Sequence, residues 1–415
     1  MSEPVSEPER PIRILMVPMK RYPCQHAMLE TVYAQLLPAR GYDVTWVMDS
    51  RSITRPSRTT WNGTRVFVVP WPDRPGARAF AGRRLGWLRV LGTVRRLLRS
   101  EPFDVVQVRN SVSAGWLAAL LARKAGGRFV FQFSFPLQEQ FIEAIHFENV
   151  PSRRLWIAYK RFQIRARRWV LRRADLVLAI SEEMRRHLVD EGLPPERIQV
   201  VPMGTDCPPD PSPADVEALR RSLGLQGNRV VLYFGSIAPV RRLEFLVRLA
   251  ARLAPEHPDL RWVLLGPPYL GADESLRAVA RELGVSDRVL VLPAVPRGEV
   301  PTYIALAEVA VSPIPSSSVF RLSSPTKVVE ALSMGCPVVA TPIPDQEEVL
   351  GACGGGELAP FEEGAFGDAV LRLLGDPEAA RSAGHAGRAY VRANRSYDLL
   401  ADRIEKRYLE LLAEP

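Results

Sequence analysis

The chain has 415 residues, of which 47% are apolar and 24% are charged. This balance argues against an intrinsically disordered chain and leaves room for two or three domains with buried cores. Residues 1–200 carry 33 basic and 18 acidic side chains, whereas residues 201–415 carry 22 and 28. A basic first half and an acidic second half predict two domains with different partners.

The sequence carries no recognisable targeting segment. Its first ten residues, MSEPVSEPER, are polar, and no apolar run reaches the length of a signal-peptide core or a spanning helix. The four cysteines at positions 24, 207, 336 and 353 are widely separated and form no metal-ligand pattern. We therefore expect a cytoplasmic protein with reduced thiols and without a structural metal.

Strand and helix patterns alternate along the chain in two series. The strands predicted in the first series are IRILMVPM, YDVTWVM, TRVFVVPW, FDVVQV, GRFVFQFS, ADLVLAIS and RIQVVPMG, and the first predicted helix covers about residues 27–37. The second series contains RVVLYFGS, LRWVLLGP, RVLVLPAV, EVAVSPI and PVVAT, and a terminal helix follows at about residues 397–412. Such alternation is typical of doubly wound parallel sheets, which bind ligands at the carboxyl ends of their strands.

A segment rich in Pro and Asp, residues 205–215, separates the two series and is typical of a linker. We therefore predict an α/β protein with one domain over residues 1–205 and a second over residues 206–390. Residues 391–415 are expected to form a terminal helix that packs back toward the first domain. Two such sheet domains joined by a linker predict a cleft between them.

Residues 323–340, SSPTKVVEALSMGCPVVA, carry the most specific functional pattern. Ser324 is a typical N-cap and Pro325 suits the first helical position, so we expect a helix that begins there. Unpaired N–H groups at such an end favour phosphate, and Lys327 would add a cation. Glu330, one turn further on, could accept hydrogen bonds from a ribose diol. From this segment alone, a capped helix with an exposed Lys–Glu pair is an equally good interpretation.

A second segment, YFGSIAPVRRLEFL, supports a ligand site. Gly235 follows a predicted strand and permits close backbone approach, and Arg241 lies near the start of the next predicted helix, where a cation can reach a diphosphate. A solvated Arg pair at positions 241 and 242 is the alternative. Gly266, which ends the next predicted strand, is interpreted as part of a plain turn.

These segments together resemble the GT-B glycosyltransferases, specifically glycosyltransferase family 4. The resemblance covers nearly the whole chain, and its most specific part is SPTKVVEALSMGCPVVAT, which is similar to the S-P-x-K-x-x-E variant of the family's donor-binding signature. The family implies two Rossmann-like domains that face each other across a cleft. It also implies an acceptor bound by the first domain, a nucleotide-sugar donor bound mainly by the second, and transfer with retention of anomeric configuration.

The resemblance assigns residues of the second domain to the donor. Glu330 matches the glutamate that binds the nucleotide ribose, and Arg241 matches a lysine on the diphosphate. The other residues that we assign to the diphosphate are Gly235, Ser236, Ser324, Pro325, Thr326 and Lys327. No Asp-x-Asp pattern occurs, so we expect no metal, and the sequence identifies no catalytic residue.

The chain also departs from the family pattern. Leu322 stands where a second glutamate is frequent, and Ser236 replaces an arginine of the diphosphate pair. Ser134 replaces a histidine that is frequent after the fourth strand, and MKRYPCQHAM replaces a glycine-rich loop. We therefore include Lys20, Arg21, His26 and Ser134 as candidates for the acceptor side of the site.

Two basic segments of the first half, residues 83–99 and 153–173, mix Arg with large apolar side chains. Such helices can lie on the anionic inner face of the cytoplasmic membrane, although helices that cover a sheet with Arg toward solvent show the same pattern. No nucleic-acid-binding motif accompanies them, so we expect no nucleic-acid partner.

The function that we predict is retaining transfer of a sugar from a UDP- or GDP-sugar to a glycan, lipid-linked or small-molecule acceptor. A non-catalytic nucleotide-sugar-binding protein of the same fold is one alternative, favoured by Leu322 and Ser134. A nucleotide-sugar 2-epimerase is another, although the chain has only five histidines for the acid–base groups that this reaction needs.

Overall fold

The computed structural model describes residues 10–72, 78–145 and 152–414, and the side chains of residues 78–83 and 144 are not described. The polar start of the chain, residues 1–9, lies outside the described residues, as does the side chain of the first arginine of the 83–99 segment. The chain divides into two compact units. The first contains Met1–Pro202 together with Tyr397–Pro415, and the second contains Met203–Ser396.

The first unit is built on an eight-stranded sheet. Its strands are β1 (Arg13–Val17), β2 (Asp43–Ser50), β3 (Ser57–Trp61), β4 (Thr64–Pro70), β5 (Val105–Arg109), β6 (Arg128–Phe133), β7 (Leu176–Ala179) and β8 (Ile198–Val200). They lie in the order β3-β4-β2-β1-β5-β6-β7-β8. Every neighbouring pair with a described register is parallel except β3–β4, which is antiparallel.

Helices connect these strands. They are α1 (Leu37–Ala39), α2 (Arg78–Ser100), α3 (Val112–Leu121), α4 (Leu137–Ala144), α5 (Arg153–Arg173) and α6 (Glu182–Asp190). The predicted helix at residues 27–37 is present, but Leu29–Leu36 adopts π-helical geometry before α1. The predicted basic segment at residues 153–173 coincides with α5.

The chain leaves the sheet centre of the first unit in two directions. From β1 it continues to β2 and the edge strands on one side, and from β5 it continues to β6, β7 and β8 on the other. β1 and β5 are neighbours, with Val17 paired to Val108. The carboxyl ends of these two strands therefore lie at the topological switch point, where sheets of this kind form their ligand sites.

The second unit contains a six-stranded parallel sheet of the order β11-β10-β9-β12-β13-β14. The strands are β9 (Arg229–Phe234), β10 (Leu260–Leu265), β11 (Val289–Leu292), β12 (Val309–Ser312), β13 (Val338–Ala340) and β14 (Gly356–Leu358). The helices are α7 (Pro213–Ser222), α8 (Glu244–Leu253), α9 (Ala272–Glu282), α10 (Val300–Leu306), α11 (Ser318–Arg321), α12 (Thr326–Ser333), α13 (Pro344–Cys353), α14 (Glu363–Gly375) and α15 (Pro377–Asn394). Its switch point lies between β9 and β12.

Each face of the second sheet carries its own apolar core. Alternate residues of β9 point to opposite faces, so that Val231 and Tyr233 enter one cluster with α8 and α14, while Leu232 and Phe234 enter the other with α12. Burial on both faces explains why these strands are uninterrupted apolar runs. The prediction of doubly wound parallel sheets is therefore confirmed in both units.

Two strands were not predicted from the sequence. β3 has the sequence SRTTW and lies at the edge of its sheet with mostly exposed side chains, so it lacks the apolar pattern of a buried strand. β14 has only three residues and begins at Gly356, whose φ is +158°. β3 contains strand-favouring Thr and Trp but lacks the buried apolar run by which the other strands are predicted, whereas β14 is too short to be predicted without its pairing to β13.

The last helix, α16 (Tyr397–Ala413), belongs to the first unit. Buried Tyr408 donates a hydrogen bond to Oε1 of Gln107 in β5, and Nε2 of Gln107 donates to the Tyr33 hydroxyl at 2.9 Å. Arg40 lies 2.7 Å from the carboxylate of Asp402, a further contact between α16 and the start of the fold. The terminal helix thus covers the first sheet through a buried polar network.

We expect Tyr408→Phe to lower the free energy of unfolding of the first unit by about 1–3 kcal/mol, because Oε1 of Gln107 would remain buried without a donor. Urea denaturation followed by tryptophan fluorescence measures this change. Tyr22→Phe is the matched control, since it removes an exposed hydroxyl that donates over 3.3 Å. Equal effects of the two substitutions would contradict the role of the network.

Candidate functional site

The second unit places Gly235 and Lys327 in contact at its switch point. Gly235 follows β9 with φ +127°, and a Cβ atom added there would lie 2.6 Å from Cε of Lys327 and 3.0 Å from its Nζ. The ammonium lies 4.9 Å from the centre of the Tyr233 ring. Only glycine combines this backbone conformation with so close an approach. Gly235 therefore makes the space in which Lys327 lies.

Lys327 is partly buried, and its pKa is lower than that of an ordinary lysine. Burial, followed by the positive charge of Arg241, lowers the pKa of Lys327 to about 7, while Glu330 acts in the opposite direction. No carboxylate among the described residues forms an ion pair with Lys327. The exposed Lys–Glu pair considered from the sequence is therefore wrong, and the ammonium lies in a desolvated place that favours an anion.

Arg241 supplies the second cation. It ends a 3₁₀ turn, Pro239–Arg241, three residues before α8, and therefore lies near the start of that helix. Its guanidinium lies 4.6 Å from the centre of the Phe320 ring, and burial lowers its pKa. Within the described part of the chain Arg241 has no carboxylate partner. Two positive charges thus share one small region, and neither forms an ion pair with a carboxylate of the described residues, although Glu330 is close enough to act on the pKa of Lys327.

The helix that carries Lys327 begins one residue later than predicted. α12 starts at Thr326, Pro325 precedes it with extended backbone, and no side chain caps its first turn. Its first backbone N–H groups are therefore available to a ligand, together with the cations beside them.

Ser324 is not the N-cap, because its hydroxyl is engaged elsewhere. It donates to Oδ2 of Asp345 at 2.9 Å and accepts from the backbone N–H of Met203 at 3.0 Å. Asp345 in turn forms a buried ion pair with Arg395 at 3.1 Å. This network holds the loop before α12 in place, so Ser324 is a positioning residue for the helix start.

Glu330 lies one turn after Lys327 on α12 and is partly buried. Burial raises the pKa of Glu330, whereas Arg297 and Lys327 lower it. Arg297 forms an ion pair with Asp206. A desolvated carboxylate close to the cations can accept hydrogen bonds from neutral hydroxyl groups.

The segment after β10 supports the end of β9. A Cβ atom at Gly266 would lie 1.8 Å from the carbonyl oxygen of Gly235, so glycine is required there as well. The N–H of Ile237 donates to Pro267 at 3.0 Å, and the carbonyl of Ser236 accepts from the Tyr233 hydroxyl at 2.9 Å. The plain turn expected at Gly266 is thus a backbone support for the site.

The candidates in the first unit fall into two groups. Arg21 is mostly exposed, and its guanidinium lies 3.8 Å from the carboxylate of Asp49 in β2. Lys20 and His26 follow β1, and Ser134 follows β6. These three lie at the carboxyl edge of the sheet, together with a residue that the sequence analysis missed.

The missed residue is Arg109, the last residue of β5. Its Nη2 lies 3.0 Å from Nε2 of His26, which accepts because a guanidinium only donates. One signal in the sequence could have revealed it, namely a charged residue at the end of the buried strand VVQVR. Strand ends at the surface commonly carry Arg, however, so this signal has little specificity.

The described residues contain neither a candidate metal site nor a helix that could span a membrane. No group of three or more His, Cys, Asp or Glu side chains in this part of the chain is arranged to hold a metal ion. Not one of the described helices is both long and apolar enough to cross a membrane.

Two family models match the chain in series. A model described as "Glycosyl transferase 4-like domain" matches residues 31–204, and one described as "Glycosyl transferases group 1" matches residues 228–376. Together they cover more than three quarters of the chain.

Curated relatives carry glycosyltransferase names. D-inositol 3-phosphate glycosyltransferase of Nocardia farcinica is 33% identical over 223 residues, which are 52% of this chain and 48% of that protein. The chain thus spans about half the length of this relative. 2-Deoxystreptamine glucosyltransferase of Streptomyces kanamyceticus is 27% identical over 79% of this chain and 83% of its own.

Solved structures share the fold over almost the whole chain. Sucrose-phosphate synthase from Thermosynechococcus elongatus has a TM-score of 0.75 at 19% identity, covering 97% of this chain and 100% of its own. Anabaena HepE in complex with UDP and glucose has a TM-score of 0.72 at 18% identity, covering 95% and 99%. The predicted GT-B fold is confirmed, and with the two matched family models the chain belongs to the GT-B glycosyltransferases.

Proposed function

We propose that the protein is a retaining glycosyltransferase that moves a hexosyl group from a UDP- or GDP-sugar to an acceptor. The observation that carries this proposal is that two cations at the uncapped start of α12, Arg241 and Lys327, have no carboxylate partner among the described residues. A diphosphate supplies negative charge that can pair with both cations. Glu330, one turn further on, would then accept hydrogen bonds from the ribose.

The proposed chemistry depends on the leaving group. Cleavage of the bond between sugar and diphosphate develops negative charge on the departing phosphate, and Arg241, Lys327 and the first N–H groups of α12 would stabilise it. These groups are present before the reaction, so little reorganisation is needed. Because two cations are available, we propose that the reaction needs no metal ion.

The comparisons support a narrower choice of substrates. Two solved structures that are similar in fold are complexes with UDP, or with UDP and glucose, which favours UDP over GDP as the first donor to test. Relatives named for D-inositol 3-phosphate and 2-deoxystreptamine support small molecules as acceptors beside glycans and lipid-linked sugars. Family 4 is the assignment within the GT-B enzymes that we propose.

We also propose a cytoplasmic location with peripheral contact to the inner face of the membrane, as expected for an enzyme of polysaccharide synthesis. The supporting observation is a surface of α5, here called the α5 face, formed by Leu155, Tyr159 and Phe162. These side chains are exposed at spacings of four and three residues, and Phe162 is 63% exposed. Arginines at positions 161 and 165 lie beside them and are also exposed.

The activity is tested with a panel of UDP- and GDP-sugars, measuring release of nucleoside diphosphate with and without acceptors, in buffer with and without EDTA. We expect release that depends on acceptor and not on metal, and a product that keeps the anomeric configuration of the donor. Binding without turnover would favour the non-catalytic alternative. Conversion of the donor sugar to an isomer would favour the epimerase.

For the ribose contact, we expect Glu330→Ala to weaken UDP binding by about 10- to 100-fold, because hydrogen bonds to a charged acceptor are lost. Calorimetry with UDP and 2′-deoxy-UDP sharpens the test, since only the protein with Glu330 should distinguish the two ligands. Glu274→Ala is the control, as the Glu274 side chain is 72% exposed. Undiminished discrimination in Glu330→Ala would refute the assignment.

The pKa of Lys327 near 7 predicts a pH dependence of donor binding. A bound diphosphate keeps the ammonium protonated, so binding above this pKa requires uptake of a proton and affinity falls as pH rises. We expect UDP-glucose to bind on the order of tenfold more weakly at pH 8.5 than at pH 6.5. Lys327→Met should bind weakly at both pH values, whereas Lys406→Met, which removes an exposed lysine, should keep the wild-type dependence.

The membrane contact is tested by sedimentation with vesicles. We expect binding to vesicles that contain phosphatidylglycerol, little binding to pure phosphatidylcholine, and loss of about tenfold or more in Phe162→Glu, which places a negative charge on the α5 face. Leu270→Glu is the control, because Leu270 is exposed on the second unit. Equal binding to both vesicle types, or equal loss in both variants, would contradict the proposal.

A further inference from the structure

The switch point of the first unit carries a second group of cations, which form no ion pair with a carboxylate of the described residues. β5 ends in Arg109, and the segment after the neighbouring strand β1 contains Lys20 and His26. Ser134 follows β6, the next strand of the sheet. These residues come from three chain segments, and the parallel sheet brings them to one edge.

Arg109 is only 8% exposed, and it forms no ion pair with a carboxylate of the described residues. Its Nη2 contacts the neutral acceptor Nε2 of His26, while its Nε is buried without a hydrogen-bond partner. Burial lowers the pKa of Arg109 to about 10, so the group stays charged at neutral pH. Burial raises the pKa of nearby Tyr33 to about 12, so that phenol brings no negative charge. A buried cation of this kind is costly unless an anion joins it.

Two further groups lie at this edge. Burial, followed by the charge of Arg109, lowers the pKa of Lys20, which shows that the two cations repel each other. Ser134 is 7% exposed, and its Oγ has no hydrogen-bond partner. Its backbone N–H donates to Oδ1 of Asn110, the residue that follows Arg109, at 2.8 Å, so the Ser134 backbone is held beside the end of β5. Together with Arg109 they offer two cations and a hydroxyl that has no hydrogen-bond partner.

We propose that Lys20, Arg109 and Ser134 form a site for the phosphate group of a phosphorylated acceptor. A phosphate monoester carries a charge of about −2 and three acceptor oxygens, which matches two cations and a hydroxyl donor. A carboxylate would leave one cation without a counter-charge. That the ligand is the acceptor rests on the proposed function, whereas the anion site itself does not.

The test must separate this phosphate from the donor diphosphate, which has the same chemistry. Inorganic phosphate is therefore titrated into the full-length protein by calorimetry, in phosphate-free buffer with UDP at saturation. We expect phosphate to bind while UDP occupies its own site. Absence of phosphate binding, or displacement of phosphate by UDP, would overturn the proposal.

Variants locate the phosphate in the first unit. We expect Arg109→Gln and Lys20→Gln each to weaken phosphate binding by about 10- to 100-fold, because a charge-assisted contact is lost. Arg109→Lys should retain part of the affinity, since it keeps the charge. Arg58→Gln is the matched control, as Arg58 is exposed on β3 and lies over the Phe67 ring. If Arg109→Gln does not fold, the partly exposed Lys20 decides the outcome.

The affinity for UDP distinguishes the two possible failures. We expect UDP to bind the Arg109 and Lys20 variants as it binds the wild type. A parallel loss of UDP affinity would mean that this cluster serves the donor, which would overturn the proposal. Phosphate binding without any UDP binding in the wild type would instead refute the proposed function and leave the anion site in place.

Discussion

The ammonium of Lys327 forms no ion pair with a carboxylate of the described residues, and the proposed site in the second unit depends on this. It lies against Gly235 and the Tyr233 ring, with Arg241 close enough to lower its pKa. Two desolvated cations destabilise the fold, because each loses its hydration and they repel each other. Their retention at the end of β9 is understandable when an anion is the normal occupant. The repulsion between the cations that destabilises the free protein is relieved when the anion binds, and this relief adds to the binding free energy.

The surrounding backbone is arranged to hold these charges in place. Gly266 permits the β10 end to approach Gly235, and the turn after it pairs with the segment that leads to Arg241. On the other side, the buried pair of Asp345 and Arg395 holds Ser324, which precedes α12. Each support is a backbone contact or a buried hydrogen bond, so the backbone that carries the cations is held from both sides. Preorganisation of this kind is what stabilisation of a leaving group requires.

The two units use the same physical principle at different switch points. In both, neighbouring parallel strands end at one edge, and a cation without a carboxylate partner among the described residues lies there, Lys327 in the second unit and Arg109 in the first. The net charge of each half of the chain does not determine where an anion binds. The second half is acidic, yet two of its cations, Arg241 and Lys327, lie close together near the end of β9. The local arrangement of charged groups therefore determines the anion site.

The sequence by itself determined the alternation of strands and helices, because strands buried on both faces must be continuous apolar runs. It also determined the spacing of Lys327 and Glu330 on one helix and the glycine at position 235. Tertiary structure alone decided which polar groups lose water. The sequence pattern predicts Ser324 as a helix cap, but its hydroxyl donates to Asp345. The sequence also gives no sign that Arg109, at the end of β5, is buried. Burial and partners of a side chain depend on segments distant in sequence, and a local pattern does not contain them.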